Sequence, residues 1–416
     1  MSIASFVDTI VTPAFGCIFA VVQEFKKREQ QFMALHFERA EFDGRVSAAQ
    51  SLLAERKLDG LLIFRPESMY YLCGYDTFGY AMFQCLYLGA DGRMTLLTRA
   101  PDRAQAELTS TLSDIRIWTD EQDHNPAMQL KAMLQSLACA GNNLGIELDT
   151  VGLNASQWLQ LKPALESFCT LTDASTLVNE LRFIKSPAEI ACIQRAAELA
   201  DDALDAALAT AQPGVSESEV LAQMQDAVFR GGGDYAGNEF IIGSAEYAML
   251  CRYHSGRRVL DANDQLTLEW AGCYRRYHAA MMRTVLIGKP SAEHIAMHKV
   301  AEEALQACEE KLKPGHTLGE VFDAHALVAD NGGLKQHRLN ACGYTMGCAY
   351  APIWVDHPMI YTGNPLLIQP QMVFFLHMIF INRDSRVAMT LGHSLLVTDQ
   401  GNRRLSRSGT QLLVLN

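Results

Sequence analysis

The chain contains no CxxC pair and no zinc-finger spacing, although it carries 11 cysteines. An odd, scattered set of this kind excludes a disulfide framework read from spacing and describes buried thiols in a reducing cytoplasm. There is no basic surplus either: 35 Lys and Arg stand against 47 Asp and Glu, a formal net charge of −12. With nothing left over to neutralise phosphates, nucleic acid is not an expected partner and small molecules are. No glycine run sits between a strand and a helix in the GxGxxG manner. Gly231, Gly232 and Gly233 read as a turn, so no nucleotide cofactor is implied. A short-period repeat is also lacking.

The N-terminus lacks the positive start of a signal peptide. Its apolar run from Ala4 to Val22 is interrupted by Asp8 and Pro13 and ends on Lys26, Lys27 and Arg28. That pattern fits neither a signal peptide nor a spanning helix, and membrane association is not expected. Residues 1–32 are read as an extension forming a peripheral helix, or as translation from upstream of Met33, with a membrane-surface anchor as the other reading.

What is present is an ordinary globular composition, 49% hydrophobic and 20% charged over 416 residues, enough for two or three domains. From Phe37 the pattern alternates. FDGRVSAAQSLLAERKLDG has apolar residues at helical spacing up to Gly60, and LLIFRP reads as a buried strand ended by Pro66. MYYLCGYDTFGYAMFQCLYLGADGRMTLLTRAP reads as strands with a hairpin turn at Ala90-Asp91-Gly92. One α/β domain, 33–177, is expected, followed by a linker near Leu177 to Lys185. Ser186-Pro187-Ala188-Glu189 is a capping box with Pro at the first helical position, opening a long Ala-rich helix to about Ala211. A second helix over 216–230, strands near 240–242 and 266–270, and a helix over 291–312 make up an expected second domain, 178–416.

Several separated segments then occur in one order: LRFIKSPAEI, a His at 254, a hairpin ending in Arg283-Thr284, CGYTMG at 342–347, PQMVFFLHM at 370–378 and LLVTDQGNRRLS at 395–406. Their order and spacing resemble the pita-bread family of creatinase, prolidase and aminopeptidase P. The resemblance implies an α/β creatinase-like N-terminal domain and an α+β pita-bread catalytic domain. It also implies a homodimer in which an N-terminal loop reaches the partner's site. The family's metallopeptidases hold two cations with two Asp, one His and two Glu. At the matching positions this chain has Glu269, Ala280, Tyr344, His377 and Gly392. One Glu and one displaced His cannot bridge two cations, so no metal and no other cofactor is expected.

The resemblance to the metal-free branch, creatinase and ectoine hydrolase, rests on Glu269, Ala271, Gly272, Cys273, Tyr274, Arg275, Arg276, Tyr277 and His278. It implies a hydrolase acting on a C–N bond of a small zwitterionic nitrogen compound, a cyclic amidine or amidino acid. Met282 stands where creatinase has a Glu, which argues against creatine itself. Four residues are expected to be catalytic. His254 would shuttle protons, the alternative being a surface histidine beside Arg252 and Arg257. Glu269, an acid amid apolar neighbours, would activate water or attack directly. Tyr344 would donate to a developing oxyanion and His377 would assist, a core role being the alternative for each. His278, Arg283, Arg338, Tyr75 and Phe78 are expected substrate contacts. The alternatives are an exposed turn for His278, an ion pair with Glu269 for Arg283 and a surface helix end for Arg338. An Xaa-Pro peptidase, a dimethylsulfoniopropionate lyase and a non-catalytic binding homologue remain open as other functions.

Overall fold

The computed structural model describes residues 35–122, 124–252 and 256–416. The 1–32 extension and His254 therefore lie outside the described residues. The chain divides between Leu181 and Arg182 into two compact units.

The first unit is built on a six-stranded sheet. Its strands are β1 (Gly60–Ile63), β2 (Cys85–Gly89), β3 (Met94–Arg99), β4 (Asp114–Trp118), β5 (Asn143–Ile146) and β6 (Thr170–Asp173), in the order β4-β3-β2-β1-β5-β6. β2 runs antiparallel to both of its neighbours, β1 and β3, and the remaining pairs are parallel. The alternation of side chains along a strand explains why both faces are apolar. Leu62, Cys85 and Tyr87 enter one core with the helices Pro126–Ser136 and Ala155–Glu166. Leu61, Ile63, Leu86 and Leu88 enter another with the helices Arg39–Glu55 and Pro66–Cys73. The β2–β3 hairpin turns where Ala90-Asp91-Gly92 marks it, with Gly92 at φ +82° and Asp91 accepting from the Arg93 amide.

Two local expectations are corrected. MYYLC is not a strand: Pro66 opens the helix Pro66–Cys73 as its first residue, and Gly74, left-handed at φ +82°, closes it. The segment read as a linker holds the division between the two units, but most of it is a helix, Leu177–Phe183.

The second unit carries a nine-stranded sheet made of β7 (Ile241–Ser244), β8 (Asp264–Tyr274), β9 (Tyr277–Ile287), β10 (Gly343–Thr345), β11 (Asp356–Met359), β12 (Val373–Asn382), β13 (Val387–Thr398), β14 (Gly401–Arg404) and β15 (Leu413–Leu415). The path is β11-β10-β12-β13-β9-β8-β7, with β14 on β13 and β15 parallel to β9. Helices cover one face. Ser186 and Glu189 form the expected capping box on the helix Pro187–Thr210. Trp270 donates from its indole to Ala200 O of that helix at 2.9 Å, and Gly272 lets the strand approach so closely that a Cβ there would lie 1.9 Å from Ala196 O. Because side chains alternate, Leu268, Trp270 and Gly272 face the helix, and Glu269, Ala271 and Cys273 face the other way. The helices Ala292–Lys311 and Leu318–Asn331 pack with β12 and β13 into a hydrophobic core of the unit.

Among the described residues no helix is long and apolar enough to cross a membrane. The ten described cysteines are free thiols, most of them buried.

Candidate active site

β8 and β9 form an 11-pair antiparallel ladder in which Glu269 faces Met282 and Ala271 faces Ala280. The two-residue turn at its end is made by Arg275 and Arg276, both left-handed at φ 50° and 65°, the geometry of a tight primed hairpin turn. Non-glycine residues are strained there, and neighbours hold them. The Arg276 amide donates to Asp234, its guanidinium lies 5.3 Å over the Tyr350 ring, and Ala349 N donates to its carbonyl. The register carries on across the sheet: Met282 faces Gly392, and Gly392 faces His377. Glu269, Met282, Gly392 and His377 thus form one row on the face away from the helices, with Tyr344, paired to Phe375, on the next strand.

A cavity of about 290 Å³ is lined by the two ends of this row, Glu269 and His377, and by Tyr344. At roughly 30 Å³ per water-sized group, it suits a small molecule of about ten non-hydrogen atoms. Its wall is mainly apolar, with Ile241, Ile379, Met359 and Trp354 among the lining residues. The polar groups are Glu269, Arg252, Tyr344, His377, His357, Asn238 and Cys251, and Glu269 is the one carboxyl among them.

Electrostatics differ sharply from group to group. Burial raises the Glu269 carboxyl to about 7, against the pull of Arg252 and a hydrogen bond from Tyr344. Tyr344 is pushed well up by burial, so its phenol stays protonated and remains a donor. Its oxygen accepts from the Trp354 indole at 2.9 Å. His377 is pushed down to about 3, by burial first, so its ring is neutral. The ring packs against Tyr344 and Phe375 at 5.7 and 5.5 Å between centroids. Among the described residues, its buried Nδ1 has no hydrogen-bond partner. Such an atom is available to a bound group or a water.

The other expected contacts lie elsewhere. His278 is fully buried, not an exposed turn residue. Its Nε2 accepts from the Gly237 amide at 2.9 Å, and burial lowers it to about 4. It holds the loop that carries Asn238 to the cavity wall. Arg283 is a correction. It is paired with Leu268 in the ladder, so it leaves from the helix face and cannot pair with Glu269. Its guanidinium binds the carbonyls of Met282, Gly392 and Gly409, and burial lowers it to about 10. Arg338 is clamped by Asp330 at 2.7 and 3.3 Å and lies over Phe322, outside the cavity lining. In the first unit, Tyr75 is a core residue bonded to Gln84, and Phe78 is 85% exposed.

Sequence reasoning misses most of the cavity lining, and three of its residues stand out. Arg252 figures there only as a neighbour of His254, and Asn238 and Trp354 not at all. A tryptophan between Pro352 and Pro358 in an otherwise irregular stretch is the available signal.

Paired cations do not fit the residues present. Ala280 and Gly392 bring no donor atoms, the Tyr344 phenol is taken by Trp354, and Glu269 alone offers a carboxylate. A Cβ at Gly392 would lie 2.6 Å from Leu376 O and 3.1 Å from the Phe375 ring, which occupies the room a fifth ligand would need. Among the described residues no cluster of three or more His, Cys, Asp or Glu side chains is arranged to hold a metal ion.

Comparison with known proteins gives a consistent picture. Residues 191–399 match metallopeptidase family M24, and residues 45–184 match the Creatinase/Prolidase N-terminal domain. An uncharacterized hydrolase/peptidase of Sinorhizobium fredii is 27% identical over 91% of this chain and 99% of its own length. The ectoine hydrolase of Halomonas elongata is 26% identical over 92% of this chain and 99% of its own. Among solved structures, a prolidase from Thermococcus sibiricus superposes with a TM-score of 0.81 at 20% identity, covering 90% of this chain and 99% of that one.

Proposed function

The chain belongs to metallopeptidase family M24, and on that premise we propose that it is a metal-independent hydrolase of a C–N bond in a small zwitterionic nitrogen compound, a cyclic amidine or amidino acid. The observation that carries this reading is the donor set: one buried carboxyl, no second acid beside it, and a glycine whose side-chain place is closed by Leu376 O and the Phe375 ring. The similarity to an ectoine hydrolase along nearly the whole chain supports it.

In this reading Glu269 is the base. A carboxyl titrating near neutrality combines a populated ionised form with real proton affinity. Glu269 takes a proton from water as the water oxygen bonds to the amidine carbon. As Glu269 takes up the proton, the Tyr344 hydroxyl turns from it to the addition intermediate and, with His377, a neutral imidazole with an open nitrogen, steadies the charge that collects there. The proton then passes to the departing nitrogen, with His254 as the relay, and the C–N bond breaks. Arg252 binds the carboxylate of the substrate. The protein works as a cytoplasmic homodimer, and the exposed Phe78 of one copy closes over the other's site. A dimer mass in sedimentation, and a raised KM in Phe78→Ala, test that part.

The central experiment incubates metal-stripped protein with amidines, ureido acids, sulfonium betaines and Xaa-Pro dipeptides. Product from an amidine or ureido acid that disappears in Glu269→Gln is expected. Turnover retained by Glu269→Gln refutes the assignment of the base. The fold shared with prolidases favours one rival, Xaa-Pro dipeptide hydrolysis. Stoichiometric metal by elemental analysis, together with metal-dependent dipeptide cleavage, would establish that rival instead.

A further inference from the structure

The loop between the helix Glu217–Arg230 and β7 borders two cavities. Ile241 lines the one at Glu269, and its neighbour Phe240 lines a second, of about 470 Å³. Asn238 belongs to both walls. At roughly 30 Å³ per water-sized group, the second cavity has room for a molecule of about 15 non-hydrogen atoms. The loop is tied at three points, which keeps that space open. Asp234 N donates to Cys273 O at 2.8 Å, Gly237 N donates to His278 Nε2 at 2.9 Å, and Asn238 Oδ1 accepts from Trp354 N at 3.2 Å.

The second cavity carries charge of one sign. Asp234 and Glu239 are its charged residues, and no Lys, Arg or His lines it. Among the described residues the Asp234 carboxylate is engaged by the Arg276 amide alone, a neutral donor that leaves the charge in place. Among the same residues no hydrogen bond or ion pair reaches the Glu239 carboxylate. Two arginines of the adjoining segments are occupied elsewhere: Arg276 lies over the Tyr350 ring, and Arg230 pairs with Asp226 at 2.7 Å. The rest of the wall is mainly apolar, with Val228, Phe229, Tyr235 and Pro352 in it. Phe229 and Tyr235 meet edge to face at 4.8 Å between centroids, yet Tyr235 stays 76% exposed. The face of an aromatic ring is its negative side, so open rings beside carboxylates attract a cation. An anion would meet two like charges there, and a neutral apolar molecule would leave both unanswered.

We propose that this cavity is a second binding site, for a small organic cation with an ammonium head on an apolar body. Asp234 and Glu239 hold the head, and Tyr235 and Phe229 cover the body. A zwitterion is disfavoured, because its carboxylate would face the same two acids. The cavity at Glu269, with Arg252 in its wall, has the opposite preference. The inference goes beyond the hydrolase reading and does not rest on it.

The test titrates the full-length protein with phenethylammonium, followed by saturation-transfer NMR of the ligand. Saturable binding is expected. The neutral 2-phenylethanol should bind at least about tenfold more weakly, and phenylacetate should not bind. Glu239→Gln and Tyr235→Ala, both at exposed positions, should each weaken phenethylammonium by roughly two- to fivefold. Glu269→Gln should leave its affinity unchanged, since that carboxyl lines the other cavity. The proposal is overturned by a titration that does not saturate, or by 2-phenylethanol or phenylacetate binding as well as the cation. It is overturned equally by an unmoved affinity in Glu239→Gln or in Tyr235→Ala. Loss of binding in Glu269→Gln also sinks it, by putting the cation in the first cavity. No turnover is read, so these outcomes are separate from the hydrolase reading, which stands or falls on Glu269→Gln activity.

Discussion

Gly392 lies directly opposite His377 in the β12–β13 ladder, and any side chain on it would strike Leu376 O and the Phe375 ring. In the metal-independent reading proposed above, this pairing accounts for a metallopeptidase frame with one carboxyl in its cavity. The place of a ligand has become part of the packing of its neighbours, so restoring a donor there cannot be done by a single exchange.

Gly392→Ala should therefore destabilise the protein by about 1–3 kcal/mol, the usual cost of overpacking a dense core. The Cβ meets backbone at 2.6 Å, not the far end of a flexible side chain, so relief needs movement of β12. Urea unfolding should show a lower midpoint with an unchanged slope. A neutral effect would mean that the strand pair is looser than its register implies.

Glu269 sets the sign of one pH dependence of stability. Its folded value, about 7, lies above that of an unfolded glutamate, so the folded chain holds this proton more tightly. The stability it contributes is full below the unfolded value and is lost as pH rises through about 7. The gap is worth about 3 kcal/mol. Glu269→Gln is neutral at every pH. It should match the wild type near about pH 4 and exceed it by about 2–3 kcal/mol near about pH 8. Parallel pH dependence in the two proteins would remove Glu269 as the source.

Much of this arrangement is readable from the sequence. The capping box at Ser186 and the Asp91-Gly92 turn are local signals that need no partner, and both stand as read. Pro66 misleads because proline both ends strands and opens helices, and only Gly74 eight residues on discriminates. Arg283 is misplaced for a different reason. Its face follows from the register of the hairpin, and that register follows from a turn made by two arginines with positive φ, which no Asn-Gly signal announces. The bond from Trp354 to Tyr344 and the cavity they share with Glu269 join segments far apart in the chain, so spacing carries no trace of them.

Arg283 gives a test that separates a sheet tether from a substrate contact. Its guanidinium satisfies three carbonyls and joins β9 to β13 and to the chain near Gly409. Arg283→Met should cost about 2–3 kcal/mol of stability through the loss of charge-assisted hydrogen bonds in a buried place. Because the group leaves from the helix face, KM should be unchanged in whatever fraction remains folded. A large rise in KM with normal stability would restore it to the substrate.

The pH profile of turnover should carry a limb near neutrality, and neither His377 nor His278 is its origin. Glu269 acts as base in its ionised form, so the rate should rise with pH through about 7. His377 and His278, held down to about 3 and about 4 by burial, stay neutral over the working range and contribute no limb there. His377→Asn should lower kcat while leaving the position of the limb in place. Tyr344→Phe removes a hydrogen bond that favours the carboxylate, so it should move the limb to higher pH as well as lower kcat. Rate measurements across the neutral range on the three proteins check both statements. A limb that disappears in His377→Asn would transfer the role of base from the glutamate to the histidine.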